Sequence, residues 1–188
     1  MKRVRVADGD AEAVGDESER RGLTDPLGAS DLALNRYRIA PGEGFPGGLH
    51  AHADQEEVFV VLAGEATFAT LDGPVTVGEG EAIRFAPGEY QSGRNDGETD
   101  LVALALGAPR DSKDVRVPIR CPDCGHGDLR PVRRGGETAL VCPACGGERL
   151  ARGCPACGRA ELRVEPGEEA RTVVVCPDCG EEVPDPFA

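Results

Sequence analysis

Four Cys-x-x-Cys pairs, all beyond position 120, constrain this 188-residue chain more than any other feature of its sequence. They are Cys121/Cys124, Cys142/Cys145, Cys154/Cys157 and Cys176/Cys179, and they account for all eight cysteines. Glycine follows each second cysteine, at 125, 146, 158 and 180. The pairs form two matching units, "CPDCGHGDLRPVRRGGETALVCPACGG" from 121 and "CPACGRAELRVEPGEEARTVVVCPDCGEE" from 154. Seventeen residues separate the two pairs of the first unit and 18 those of the second. Each unit reads as a knuckle, a strand, a polar turn, a second strand and another knuckle.

Two residues between paired cysteines let both sulfurs approach one ion, and a hairpin of this length brings two pairs to one tetrahedral centre. The glycine suits a tight turn and leaves backbone N–H groups free to point at sulfur. Both units resemble zinc ribbons. That implies two structural zinc ions, one on Cys121, Cys124, Cys142 and Cys145, the other on Cys154, Cys157, Cys176 and Cys179. Units this small bury little apolar area, so the ions would supply most of their folding free energy. Thiolate-bound iron is a competing reading. Redox-active pairs are another, although these normally sit in a βαβ setting. A disulfide scaffold would need an export signal, and residues 1–20 contain no apolar h-region. No run approaches 18 apolar residues, so no membrane span is expected and the expected location is cytoplasmic. His126 follows a knuckle that already has its four thiolates, and reads as a surface residue.

Upstream of the cysteines, residues 23–109 hold apolar runs of four to eight residues that mostly alternate. Turn signals break them, such as Asp72-Gly73-Pro74 and Gly78-Glu79-Gly80. No 12-residue stretch shows a helical period. This is an all-β pattern, sandwich or barrel. Residues 1–22 read as a flexible arm with at most a short strand around Val4 and Val6. Residues 110–118 read as a polar linker, 119–150 as the first ribbon and 151–188 as the second.

Within the β region, "GFPGGLHAHADQEEVFVVLAG" (44–64) carries two of the three histidines, His50 and His52. Residues i and i+2 of a strand face the same way, so both imidazoles aim at one point. Glu57 opens the next strand, on the face it shares with Phe59 and Val61, whereas Glu56 falls on the opposite, solvated face. Two imidazoles and a carboxylate suit Fe²⁺, Mn²⁺, Ni²⁺ or Zn²⁺ with coordination positions left open.

This stretch resembles the first motif of the cupin family: Gly, five residues, His-x-His, four residues, Glu, six residues, Gly. Gly44, His50, His52, Glu57 and Gly64 stand at that spacing. The second motif aligns Gly80, Ala86-Pro87-Gly88, Gln91 and Asn95, with Ala86 where the family has proline and Gln91 where it has a third metal histidine. The resemblance covers about residues 32–107. It implies a small antiparallel β-barrel, often dimeric, with a divalent metal on His50, His52, Glu57 and Gln91. Glutamine is a neutral, weaker ligand than imidazole, so a polar pocket without metal stays open as an alternative. Arg36, Tyr37, Arg38, Arg84, Tyr90 and Arg94 are the polar or aromatic candidates for the lining, and the alternation does not say which of them point inward.

Charge bears on partners. The formal net charge is -13, and only Lys2 and Lys113 are lysines among 21 basic residues. Residues 1–115 carry 11 basic against 22 acidic side chains, and residues 116–188 carry 10 against 12. Non-specific binding to nucleic acid or anionic membrane is disfavoured. The acidic, lysine-poor composition is halophile-like, or simply that of an acidic protein from a high-GC genome. Arg130, Arg133 and Arg134 make a small basic patch in a module that is not net basic.

Three functions stay open. One is a metal-binding barrel that recognises a small polar metabolite, with the ribbons for assembly or interaction. The second is a metal-dependent enzyme of dioxygenase, isomerase or lyase type. The barrel has no cysteine, and Ser92 has no histidine left to activate it, so catalysis would be metal-centred. The third is a ligand-sensing regulator whose ribbons contact nucleic acid or protein. Fold alone does not choose among them.

Overall fold

A computed structural model describes residues 1–7, 10–135, 137–167 and 172–187. In chain order the barrel region contains β1 (Ala11–Ala13), β2 (Glu19–Gly22), the four-residue α1 (Thr24–Leu27), β3 (Ala33–Ile39), β4 (Ala51–His52) and β5 (Glu56–Ala63). It continues with β6 (Glu65–Thr70), β7 (Gly73–Gly78), β8 (Ala82–Phe85), β9 (Ser92–Arg94), β10 (Leu101–Ala108) and β11 (Val115–Arg116). The tail adds β12 (Arg130–Arg134), β13 (Glu137–Val141), β14 (Glu148–Leu150), β15 (Arg163–Pro166) and β16 (Thr172–Val175). The all-β expectation holds. Among the described residues, no helix is long and apolar enough to cross a membrane.

One sheet runs β1-β2-β3-β10-β5-β8, and a second runs β7-β6-β9. All of these pairings are antiparallel. The register of β10 shows why its sequence, LVALALGA, suits a central strand. Leu101, Ala103 and Ala105 are buried on one face while the residues between them are half-buried on the other. Between the sheets lie Phe45, Phe59, Phe68 and Phe85, with ring centroids 4.9 to 6.2 Å apart. Burying each such ring contributes about 1.5–3 kcal/mol. Gly64 makes the abrupt β5–β6 turn with φ +77, and a Cβ there would lie 2.8 Å from the Asp100 carbonyl oxygen. Asn95 is fully buried and works as a clamp. Its Nδ2 donates to the Ile39 and Thr99 carbonyls at 2.8 Å, and its Oδ1 accepts from Gly97 N at 3.0 Å.

Part of the segment expected to be an arm carries strands. Residues 11–22 form β1 and β2 and extend the first sheet, whereas Val4 and Val6 lie outside any strand. Glu43 ties this segment down, accepting from Asp16 N and Glu17 N at 3.0 Å and from the Ser18 hydroxyl. The polar stretch 110–118 likewise contains β11, which pairs with β4: Val115 lies opposite His52 and Arg116 opposite Ala51.

The two cysteine units fold as expected into the hairpins β12–β13 and β15–β16, with β14 added to the first. All four knuckles share one backbone pattern. The glycine after the second cysteine donates to the carbonyl of the first cysteine at 2.9 Å in each, with φ between +73 and +78.

Candidate metal centres

In the tail, Cys121 Sγ and Cys145 Sγ lie 3.8 Å apart, and Cys124 Sγ and Cys142 Sγ 3.6 Å. The second unit has Cys154–Cys179 at 3.6 Å and Cys157–Cys176 at 3.5 Å. A disulfide would require about 2.05 Å. Four sulfurs each about 2.3 Å from a tetrahedral zinc ion would lie about 3.8 Å apart, so both clusters fit that ion. Backbone N–H groups point at the sulfurs. Burial raises the Cys142 thiol, yet donors from Cys145 and Ala144 help bring it down to about 6. Burial likewise opposes, and donors from Cys179 and Asp178 favour, the lowering of Cys176 to about 7. His126 takes no part in the cluster and sits 3.5 Å from Asp128, partly exposed.

In the barrel, His50, His52 and Glu57 present one ligand atom each within 4.8 Å of one another. The hydrogen bonds fix which ring nitrogen donates outward. His50 Nδ1 lies 2.7 Å from the Gly48 carbonyl oxygen, which only accepts, so Nδ1 donates and Nε2 is the ring nitrogen left for the site. His52 Nδ1 lies 2.9 Å from Ser112 Oγ, and that hydroxyl donates its own proton to Asp54 Oδ1 at 2.7 Å. Ser112 Oγ therefore accepts from His52 Nδ1, which leaves Nε2 for the site. His52 Nε2 and Glu57 Oε2 then face each other at 3.6 Å as two electron-pair donors with no proton between them. Burial, the largest influence on His52, pushes its pKa below 6.5 and keeps the ring neutral against the pull of Glu57. A cation resolves this facing of acceptors, so the three residues fit a divalent ion. Outer hydrogen bonds of this kind orient metal-bound histidines. Such an ion would supply Lewis acidity at positions the three residues leave open.

Gln91 is buried, paired with His50 through a β-bridge, and its Nε2 donates to Glu57 Oε2 at 3.0 Å. Its amide nitrogen thus faces the carboxylate that it was expected to join as a ligand. The site opens into a cavity of about 270 Å³. Of the six lining candidates, only Tyr37 borders it. Arg36 pairs with Glu19, Arg38 with Asp100, Arg84 with Glu56 and Arg94 with Asp96, all away from the cavity and the first of these pairs half-buried. Tyr90 leaves the barrel altogether: burial and a hydrogen-bonded Asp128 push its pKa up to about 12. Sequence reasoning missed Asn35, Gln55, Arg110 and Ser112, which also line the cavity. Asn35 could have been found from Tyr37, two residues along the same strand. Arg110 and Ser112 come from the presumed linker and carry no local signal.

Residues 35–107 match the family model of the Cupin domain. The cupin match thus ends before the first cysteine and includes all four barrel candidates. Over 71 residues the chain is 34% identical to an oxalate-binding protein of Thermotoga maritima, which is 38% of this chain. The chain spans 57% of the length of that curated relative. Among solved structures it is similar to the polyketide cyclase RemF of Streptomyces resistomycificus, at 28% identity and a TM-score of 0.53 over 65% of this chain and 89% of that one. It is also similar to a predicted oxalate decarboxylase of T. maritima, at 25% identity and a TM-score of 0.50 over 56% of this chain and 97% of that one. These neighbours carry the double-stranded β-helix of cupins, in agreement with the two-sheet barrel.

Proposed function

We propose that this protein binds a divalent metal ion at His50, His52 and Glu57 and uses it to recognise a small, oxygen-rich metabolite, with the two ribbons as zinc-stabilised interaction modules. The single observation that supports this most is the bare Nε2 of His52 facing Glu57 Oε2 at 3.6 Å, with a protonated Nδ1 tethered behind it. The cavity of about 270 Å³ suits a ligand of a few heavy atoms. Asn35, Tyr37 and Arg110 give it a polar lining, in which Arg110 already pairs with Asp25 Oδ1 at 2.7 Å and donates to the Ala29 carbonyl at 3.2 Å, and this lining favours a small polar ligand over an apolar molecule. The similarity to an oxalate-binding protein points to the same ligand class. Eight free thiols at zinc-like separations fit a reducing compartment, and on that ground we assign the chain to the cytoplasm.

The test is calorimetric titration of the full chain with oxalate, before and after loading with Mn²⁺. Binding that requires the metal supports the proposal. Equal binding with and without metal, or none to either form, contradicts it.

A further inference from the structure

The loop that carries His50 is held from outside the barrel. Leu49 N donates to the Val164 carbonyl of β15 at 2.6 Å. Beside it, a Cβ on Gly48 would lie 2.6 Å from Val164 O, 3.0 Å from Val164 N and 3.3 Å from Arg163 Cβ. Gly48 has no left-handed φ, in contrast to Gly47 at +92. Its lack of a side chain instead makes room for the second ribbon's backbone. The same Gly48 carbonyl accepts from His50 Nδ1 at 2.7 Å. Val164 is buried and pairs with Val174 in the β15–β16 hairpin, which ends directly before Cys176. A continuous path therefore runs from the Cys154/Cys157/Cys176/Cys179 cluster through the hairpin to Gly48 and His50.

We propose that the second ribbon is a positioning element of the barrel metal site. Its zinc-held hairpin fixes the Gly48 carbonyl, and with it the tautomer and aim of His50. Gly48 and Val164 are positioning residues, and zinc loading of the tail sets the barrel's affinity for its own ion. A two-stranded hairpin is marginal by itself, so it depends on its ion. Without it, Leu49 N loses its partner, the Gly47–Gly48 segment regains conformational freedom, and His50 loses its fixed acceptor. The inference rests on the reading of His50, His52 and Glu57 as a metal site.

The test uses the full chain, with Mn²⁺ binding followed by electron paramagnetic resonance and tail zinc counted in parallel. Thiolate clusters select softer ions, so Mn²⁺ reports on the barrel. Gly48→Ala pushes a methyl group into Val164 without touching a ligand. Cys176→Ser removes the second zinc and leaves Gly48 intact. Loss of outer hydrogen bonds typically costs roughly 10- to 100-fold in metal affinity, and both variants are expected to weaken Mn²⁺ binding by that factor. Gly48→Ala is expected to keep two zinc ions, and Cys176→Ser one. Wild-type affinity in either variant overturns the coupling of the tail to the barrel. No Mn²⁺ binding by the unaltered chain overturns instead the metal site beneath it.

Discussion

His52 and Ser112 lie sixty positions apart in sequence, and the His52 ring donates to the Ser112 hydroxyl at 2.9 Å. Ser112 in turn is oriented by Asp54, which also accepts from Lys113 N at 2.8 Å. The presumed linker is therefore part of the site. Ser112→Ala is expected to leave the fold and both zinc clusters intact. It is expected to weaken barrel metal binding roughly tenfold or more, as losses of such outer partners do. Calorimetric titration with Mn²⁺ measures this, and an unchanged affinity would remove Ser112 from the site.

Gln91 can act through Glu57 or on the ion itself. Gln91→Leu removes the donor at 3.0 Å and leaves the carboxylate with one fewer partner. A loss of roughly 10- to 100-fold in metal affinity is the expected result. Gln91→His supplies a third imidazole and is expected to tighten binding instead. The pair of titrations decides the point: weaker binding by the histidine variant would mean that the amide donor matters more than an added ligand.

Glu43 gives the N-terminal segment a dependence on pH. Its pKa is held below 4.5 chiefly by the Ser18 hydroxyl, with burial opposing and the N–H groups of Glu17 and Asp16 assisting. The folded protein thus prefers the ionised form. Its contribution is complete above the unfolded value and is lost as pH falls through the lowered folded value. Hydrogen exchange at Asp16 and Glu17 is expected to stay protected at neutral pH and to open as pH falls below 4.5 and through the lowered folded value. Glu43→Gln is expected to open the same amides at pH 7.

Much of this was legible in the sequence because it is local. The knuckles repeat within four residues, the strands alternate, and His50, His52 and Glu57 fall close together in sequence, just before β4, in β4 and in β5. The rest depends on contacts that no local pattern encodes. β1, at the edge of the first sheet, and β2 beside it have the sequences AEA and ERRG and are exposed or half-buried along their length. Their ordering comes from Glu43 and from the neighbouring β3. On β3, Arg36, Tyr37 and Arg38 carry polar atoms on both faces, so alternation alone could not show that Tyr37 turns inward. Ser112 and Val164 reach the histidines across about 60 and 115 residues, from segments whose own sequences read as linker and ribbon.

The most direct measurement is elemental analysis of the purified full chain beside His52→Ala. The account predicts two zinc ions in the tail plus about one further divalent ion in the unaltered protein, and two zinc ions alone in the variant. The same metal content in both proteins would contradict a metal site in the barrel.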